Sequence, residues 1–122
     1  MKVMLINGRK VPYPELICLQ QKTIETRRKN MLQRLVGERV AIAETGGRNG
    51  PVIIGYADVI GSFFCSSADF DKYREQTMIP PGDQYDCKGS GKWCYQLANA
   101  EFCTPYPLPA SAIRHGRSWA EF

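Results

Sequence analysis

The stretch Pro12–Arg27, PYPELICLQQKTIETR, decides the architecture. Its first half has helix chemistry. Pro14 brings a fixed φ suited to the first turn, where its missing N–H costs nothing, and Glu15–Gln21 continues the helix with Leu16, Ile17 and Leu19 as its apolar residues. The second half, Lys22–Arg27, alternates and is rich in β-branched side chains, which predicts a strand. Successive strand side chains point to opposite faces, so Thr23, Glu25 and Arg27 share one face. Lys22 joins them if it occupies the corner ahead of the strand. A Glu and an Arg two apart support each other and present donors to a phosphate or a base edge. Lys22 adds a point charge, or a proton acceptor if burial lowers its pKa. The competing reading is a surface ion pair worth little.

Working outward, Lys2–Ile6 reads as a short strand and Glu38–Thr45, entered through Gly37, as another. Gly46-Gly-Arg-Asn-Gly50 has the turn chemistry of a hairpin loop, and the return strand runs from Pro51 to about Gly61. Strict alternation there puts Val52, Ile54, Tyr56, Asp58 and Ile60 on one face and Ile53, Gly55, Ala57 and Val59 on the other. Small residues such as Gly55 and Ala57 allow close approach of a second backbone or a ligand. Ser66 or Ser67 is positioned to cap a helix reaching about Thr77, with Phe70 and Tyr73 inward. Pro80-Pro81-Gly82 ends it. The polar, Gly-rich stretch 82–91 reads as a mobile loop and candidate lid. Trp93–Ala98 and Trp119–Phe122 are the closing strands. Five or six strands with two or three short helices predict an α+β fold, its sheet closing into a small barrel that removes exposed edges.

The 122 residues suit one domain spanning 1–122. The 43% apolar and 23% charged content is ordinary for a globular chain. No apolar run is long enough to span a bilayer. Lys2 is followed by only four apolar residues, too few for a secretory leader, so the expected setting is cytoplasmic, with no membrane partner. Five cysteines, an odd number without a Cys-x-x-Cys pair, argue against a disulfide framework. Cys87, Cys94, Cys103 and His115 are spaced too widely for a usual zinc motif. No metal or cofactor is expected. The net charge of +4 leans mildly toward anionic partners. The bias is sharper locally: Lys22, Arg27, Arg28, Lys29, Arg34 and Arg39 face only Glu25 and Glu38 across that stretch.

Taken together, these segments resemble the ASCH domain, a branch of the PUA-like superfamily. Typical members carry Pro-aromatic-x-Glu-Leu-Ile and then Gly-x-Lys-Thr-Ile-Glu-x-Arg. The chain has Pro12-Tyr13-Pro14-Glu15-Leu16-Ile17 and then Lys22-Thr23-Ile24-Glu25-Thr26-Arg27. Glu38–Thr45, Ile54–Val59, Lys92–Leu97 and Gly116–Trp119 are similar to the strands that follow. The family's corner glycine is absent, with Gln20 and Gln21 in its place. The resemblance implies a PUA-like β-barrel and an RNA or modified-nucleoside partner held in a cleft.

On that reading the ligand-binding candidates are Tyr13, Lys22, Glu25, Arg27, Arg28 and Tyr56, with Tyr13 at the cleft mouth as a stacking platform for a base. The resemblance also implies an alternative. Some small ASCH proteins are metal-independent amidohydrolases that deacylate N4-acylated cytidine with a Lys, a Thr and a Glu. Lys22 takes the lysine position, Glu25 stands where the threonine is found, and Glu75 lies near the place of the glutamate. A glutamate can activate water as a general base, but it does not reproduce a threonine nucleophile. Binding therefore ranks ahead of hydrolysis, with Lys22, Glu25 and Glu75 as the catalytic candidates if a reaction occurs.

Overall fold

The computed structural model describes residues 1–122. Seven strands form one sheet: β1 Lys2–Asn7, β2 Ile24–Arg27, β3 Arg39–Thr45, β4 Val52–Ser66, β5 Gly91–Pro107, β6 Ile113–His115 and β7 Trp119–Glu121. Two short helices, α1 Tyr13–Cys18 and α2 Arg74–Thr77, accompany 3-10 turns at Gln33–Leu35 and Phe70–Tyr73. The strand order is β2-β5-β4-β3-β1-β7-β6. Only β1 and β3 run parallel, because α1, β2 and the turn at Gln33–Leu35 make the crossover between them.

β4 and β5 form the spine of the sheet. Their pairing slips at three places along β4, between Ile53 and Gly55, Tyr56 and Asp58, and Val59 and Gly61. Each irregularity bends and twists the hairpin, and the sheet curls around a cluster of 21 buried residues that includes Met4, Ile17, Leu35, Val59, Phe70 and Tyr95. A smaller cluster of Val3, Leu5, Ala41, Ala43, Ile53 and Ala120 packs elsewhere on the sheet.

The curl stops short of a barrel. β2 has a single strand neighbour, β5. β1 pairs with β7 only over Lys2–Met4, after which the Leu5 N–H reaches the Ser118 carbonyl. Beyond that point β1 has no strand partner on its outer side. β7 is three residues long, too short to follow β1 to its end, and the interval between β1 and β2 is spanned by a side chain: Arg27 Nη2 donates to the Leu5 carbonyl at 2.9 Å. The expected closed barrel is therefore an open, strongly curled mixed sheet.

Several local expectations change for identifiable reasons. α1 ends at Cys18, and Leu19 is 52% exposed instead of buried. Gln20 then takes φ +63, the left-handed turn for which glycine is usual. The Gln20 and Gln21 N–H groups bond back to the Ile17 and Leu16 carbonyls, and Gln20 Nε2 donates to the Ala100 carbonyl at 2.9 Å. These bonds offset the strain of a left-handed non-glycine residue. The second helix is fragmentary. Ser66 is consumed by β4, and Ser67 Oγ donates to the Gly89 carbonyl instead of capping, so only a 3-10 turn and the four residues of α2 remain. β6 was not expected from the sequence, and β5 runs far past Ala98. No helix is long and apolar enough to cross a membrane.

Candidate functional site

The corner between α1 and β2 buries its charges. The Gln20 turn and the Lys22 N–H bond to the Leu16 carbonyl direct Lys22 inward, to 2% exposure. Lys22 Nζ donates to the Thr77 carbonyl at 2.5 Å. That carbonyl ends α2, where the left-handed Met78 turns the chain away and leaves it without an intrahelical donor. Lys22 Nζ also lies 3.5 Å from Glu25 Oε1 and 4.7 Å from the centre of the Tyr13 ring.

Glu25 is the hub. Its Oε2 accepts from Arg27 Nη2 at 2.9 Å and more loosely from Arg27 Nε at 3.3 Å, and Glu25 itself is 7% exposed. Burial alone raises a carboxyl pKa. Here Arg27 first, then Lys22, the Arg27 hydrogen bonds and Lys92 outweigh it and hold Glu25 below the usual glutamate range. Lys22 is governed the other way. Burial lowers its pKa, and the Glu25 carboxylate offsets this only in part. Lys92, at the start of β5, is likewise lowered by burial, against the pull of Glu25, and donates to the Tyr85 carbonyl at 2.7 Å. Three cations thus surround one carboxylate, and the cluster carries excess positive charge whenever both lysines are protonated.

This cluster lines a cavity of about 400 Å³ that opens where β1 and β2 fail to pair. The walls are Leu5, Ile6 and Asn7 from β1, Lys22, Glu25, Thr26, Arg27 and Arg28 on and beside β2, Tyr13 from α1, and Tyr85, Lys92, Met31, Ile79, Thr45 and Arg117 around the rim. The volume is that of a small-molecule site. Loop 82–91, expected to be mobile, is tied to the body. Asp86 accepts from the Gly82 and Cys87 N–H groups and from Arg74, and these bonds, led by Gly82, hold its carboxyl down to about 2. The loop places Tyr85 edge-on to Tyr13, ring centres 6.0 Å apart. The Tyr13 hydroxyl is buried without a hydrogen-bond partner in the chain. Burial, followed by the charges of Asp83 and Glu25, pushes its pKa up to about 12, so it stays a donor at any ordinary pH.

Of the candidates read from the sequence, Tyr13, Lys22, Glu25, Arg27 and Arg28 share this cavity. Tyr56 does not. Ile54 and Ala57, three apart, both belong to the larger cluster, which strict alternation forbids. The slip around Gly55 turns Tyr56 toward the smaller cluster, where its hydroxyl meets that of Tyr106 at 2.8 Å. Glu75 is also outside: it is exposed on α2, whose buried residue is Thr77. Cys94 packs in the larger cluster, Cys103 against the smaller, and His115 stacks on Trp119, so these wide-spaced residues do not converge. Sequence reasoning missed Lys92, Tyr85, Thr26 and Arg117. Lys92 comes beside β2 through the pairing of Arg27 with Trp93, which the sequence does not announce, and a lone lysine next to Trp93 reads as a solvated strand end.

No protein-family model and no curated protein matches the chain. Solved structures do. The ASCH protein from Zymomonas mobilis is similar over 99% of this chain and 86% of its own, with a TM-score of 0.75 at 16% identity. A serine-to-alanine variant of that protein gives 0.74 at 18% identity over 99% and 87%. A tyrosine-to-phenylalanine variant gives 0.69 at 17% over 88% and 75%. At these identities the likeness speaks to the backbone alone, and the conclusion it carries is that the chain has an ASCH-like fold.

Proposed function

We propose that the chain binds RNA, or a modified nucleoside, by taking one base into the cavity between β1 and β2. The observation that carries this reading is the Glu25 hub with three cations around it and an unpartnered Tyr13 hydroxyl beside it. Such a set offers donors to the carbonyls and ring nitrogens of a base, and its surplus charge attracts a phosphorylated ligand. The aromatic edges of Tyr13 and Tyr85 supply apolar contact. Five unpaired cysteines support a reducing, cytoplasmic setting.

Hydrolysis of an acylated nucleoside is the second reading, favoured by one observation. Lys22 is buried with its pKa lowered by that burial, so it gives up its proton more readily than a free lysine. Thr26 also lines the cavity, and Glu75 has no place in it.

Incubation with a panel of ribonucleosides and nucleotides that includes N4-acetylcytidine, reading melting temperature and product mass together, separates the readings. A ligand at a hundred times its Kd adds about 2.7 kcal/mol, roughly 10 °C for a chain of this size. A shift without turnover supports binding. Loss of an acetyl group that disappears in Lys22→Ala supports hydrolysis, and no response to any member overturns both. Tyr13→Phe sharpens the result. Removing an unpaired buried hydroxyl is expected to leave the free protein as stable or about 1 kcal/mol more so, while ligand affinity falls roughly 5- to 10-fold through the lost bond.

A further inference from the structure

Met31 lines the base cavity and also a second, shallower depression formed by Asn30, Gln33, Arg34, His115 and Trp119, so the two hollows adjoin. From this continuity we infer that the second depression is a subsite for the neighbouring nucleotide of a single-stranded RNA. The inference rests on the base-binding reading above and extends it from a nucleoside to a polynucleotide.

Charge supports it. Arg27, Arg39 and Arg74 each have a carboxylate partner, whereas Arg28, Arg34 and Arg117 have none and are exposed along the two hollows. Cations without internal partners keep their full charge for phosphates, and each phosphate neutralised releases condensed counterions. Glu121, the carboxylate that contacts this patch, is bonded to His115 Nε2 at 2.9 Å.

Shape supports it as well. The His115 ring stacks on Trp119 at 3.9 Å and 14° between planes. Trp119 is itself buried, so His115 has one face backed by a fixed indole, and its side chain remains 36% exposed at the depression. A ring held this way is a ready platform for a second base, because stacking needs a flat π-face and no particular hydrogen-bond pattern. The loop between the hollows is also anchored. Tyr95 Oη accepts from the Leu32 N–H at 3.2 Å and donates to Asn30 Oδ1 at 2.8 Å, which fixes Met31 between two pinned neighbours. Little ordering is left to do on binding.

The test compares nucleoside 5′-monophosphates with the matching homopentaribonucleotides by calorimetric titration, in the native chain and in the Arg34→Ala/His115→Ala double variant. The native chain is expected to bind the preferred pentanucleotide at least about 10-fold more tightly than its monophosphate, the scale of one stacked base. The double variant should lose that advantage while its monophosphate affinity stays unchanged, which also shows that it is folded. The slope of log affinity against log salt for the pentanucleotide should drop by about 0.7 in Arg34→Ala alone. Equal native affinities for the two lengths, or equal weakening of both in the double variant, overturn the subsite and leave the base cavity standing. Absence of binding by every probe overturns both.

Discussion

Glu25→Ala is expected to cost about 3–5 kcal/mol of folding stability, the range for removing one partner of a buried ion cluster. Arg27, Lys22 and Lys92 would remain around a hole with no negative charge among them, and both lysine pKa values are already lowered by burial. A chain of this length holds roughly 6–18 kcal/mol in total, so the loss is a large share, readable as a falling denaturant midpoint. Two pH signatures separate this account from simple loss of packing. Glu25 has a native pKa below its free value of 4.5, so its stabilisation is complete above that pH and is lost as pH falls through the lower native value. Glu25→Gln should therefore show a shallower loss of stability below pH 4.5 than the native chain, keeping only the share that Asp86 and the other lowered carboxyls contribute. Lys22 has a native pKa below 10.5, so the cost of burying its charge is full at low pH and fades as pH rises toward that value. The Glu25→Ala deficit should accordingly shrink in alkali. A pH-independent deficit would point to packing alone.

The second large effect is expected at Gly55, where β4, β5 and α1 meet. A Cβ there would fall within the van der Waals shell of the Glu101 carbonyl and 2.5 Å from Cys18 Sγ. The carbonyl belongs to a paired strand and Cys18 is the last residue of α1, so neither yields without moving an element. Gly55→Ala should cost about 3 kcal/mol, the upper end for overpacking a tight core, or roughly a 10 °C fall in melting temperature. Because α1 also carries Tyr13, the variant should bind ligand more weakly even where it is folded. Gly47→Ala is the control: its Cβ meets nothing within 4 Å and its φ is not positive, so its melting point should barely move.

Where sequence and structure agree, short-range rules decide. Glu25 and Arg27 share a face because a strand has period two, and Lys22 turns inward because a helix ends just before it. That much is local chemistry and is legible in PYPELICLQQKTIETR. The ASCH-like fold followed from the order of such segments. Tyr56 misled because the slips along β4 break the alternation on which its placement relied, and a slip depends on the partner strand. Gln20 performs a glycine's turn because its side chain finds Ala100, eighty residues away, which no local pattern announces. Lys92, Tyr85 and Arg117 reach the cavity only through the curl of the sheet. The open seam has the same origin: whether β1 and β2 pair depends on the length of β7 and the reach of Arg27, neither of which the hydrophobic pattern records.

The claim on which the rest depends is that the unpaired interval between β1 and β2, with Glu25 at its centre, is where ligand sits. Amide and arginine side-chain NMR shifts, followed while a ribonucleotide is titrated in, test it most directly. The account predicts the largest changes at residues 5–7, at Lys22–Arg28 including the Arg27 guanidinium, and at Tyr85 and Lys92. Changes centred instead on Tyr56, Tyr106 and the smaller cluster, with the Arg27 resonance unmoved, would contradict it.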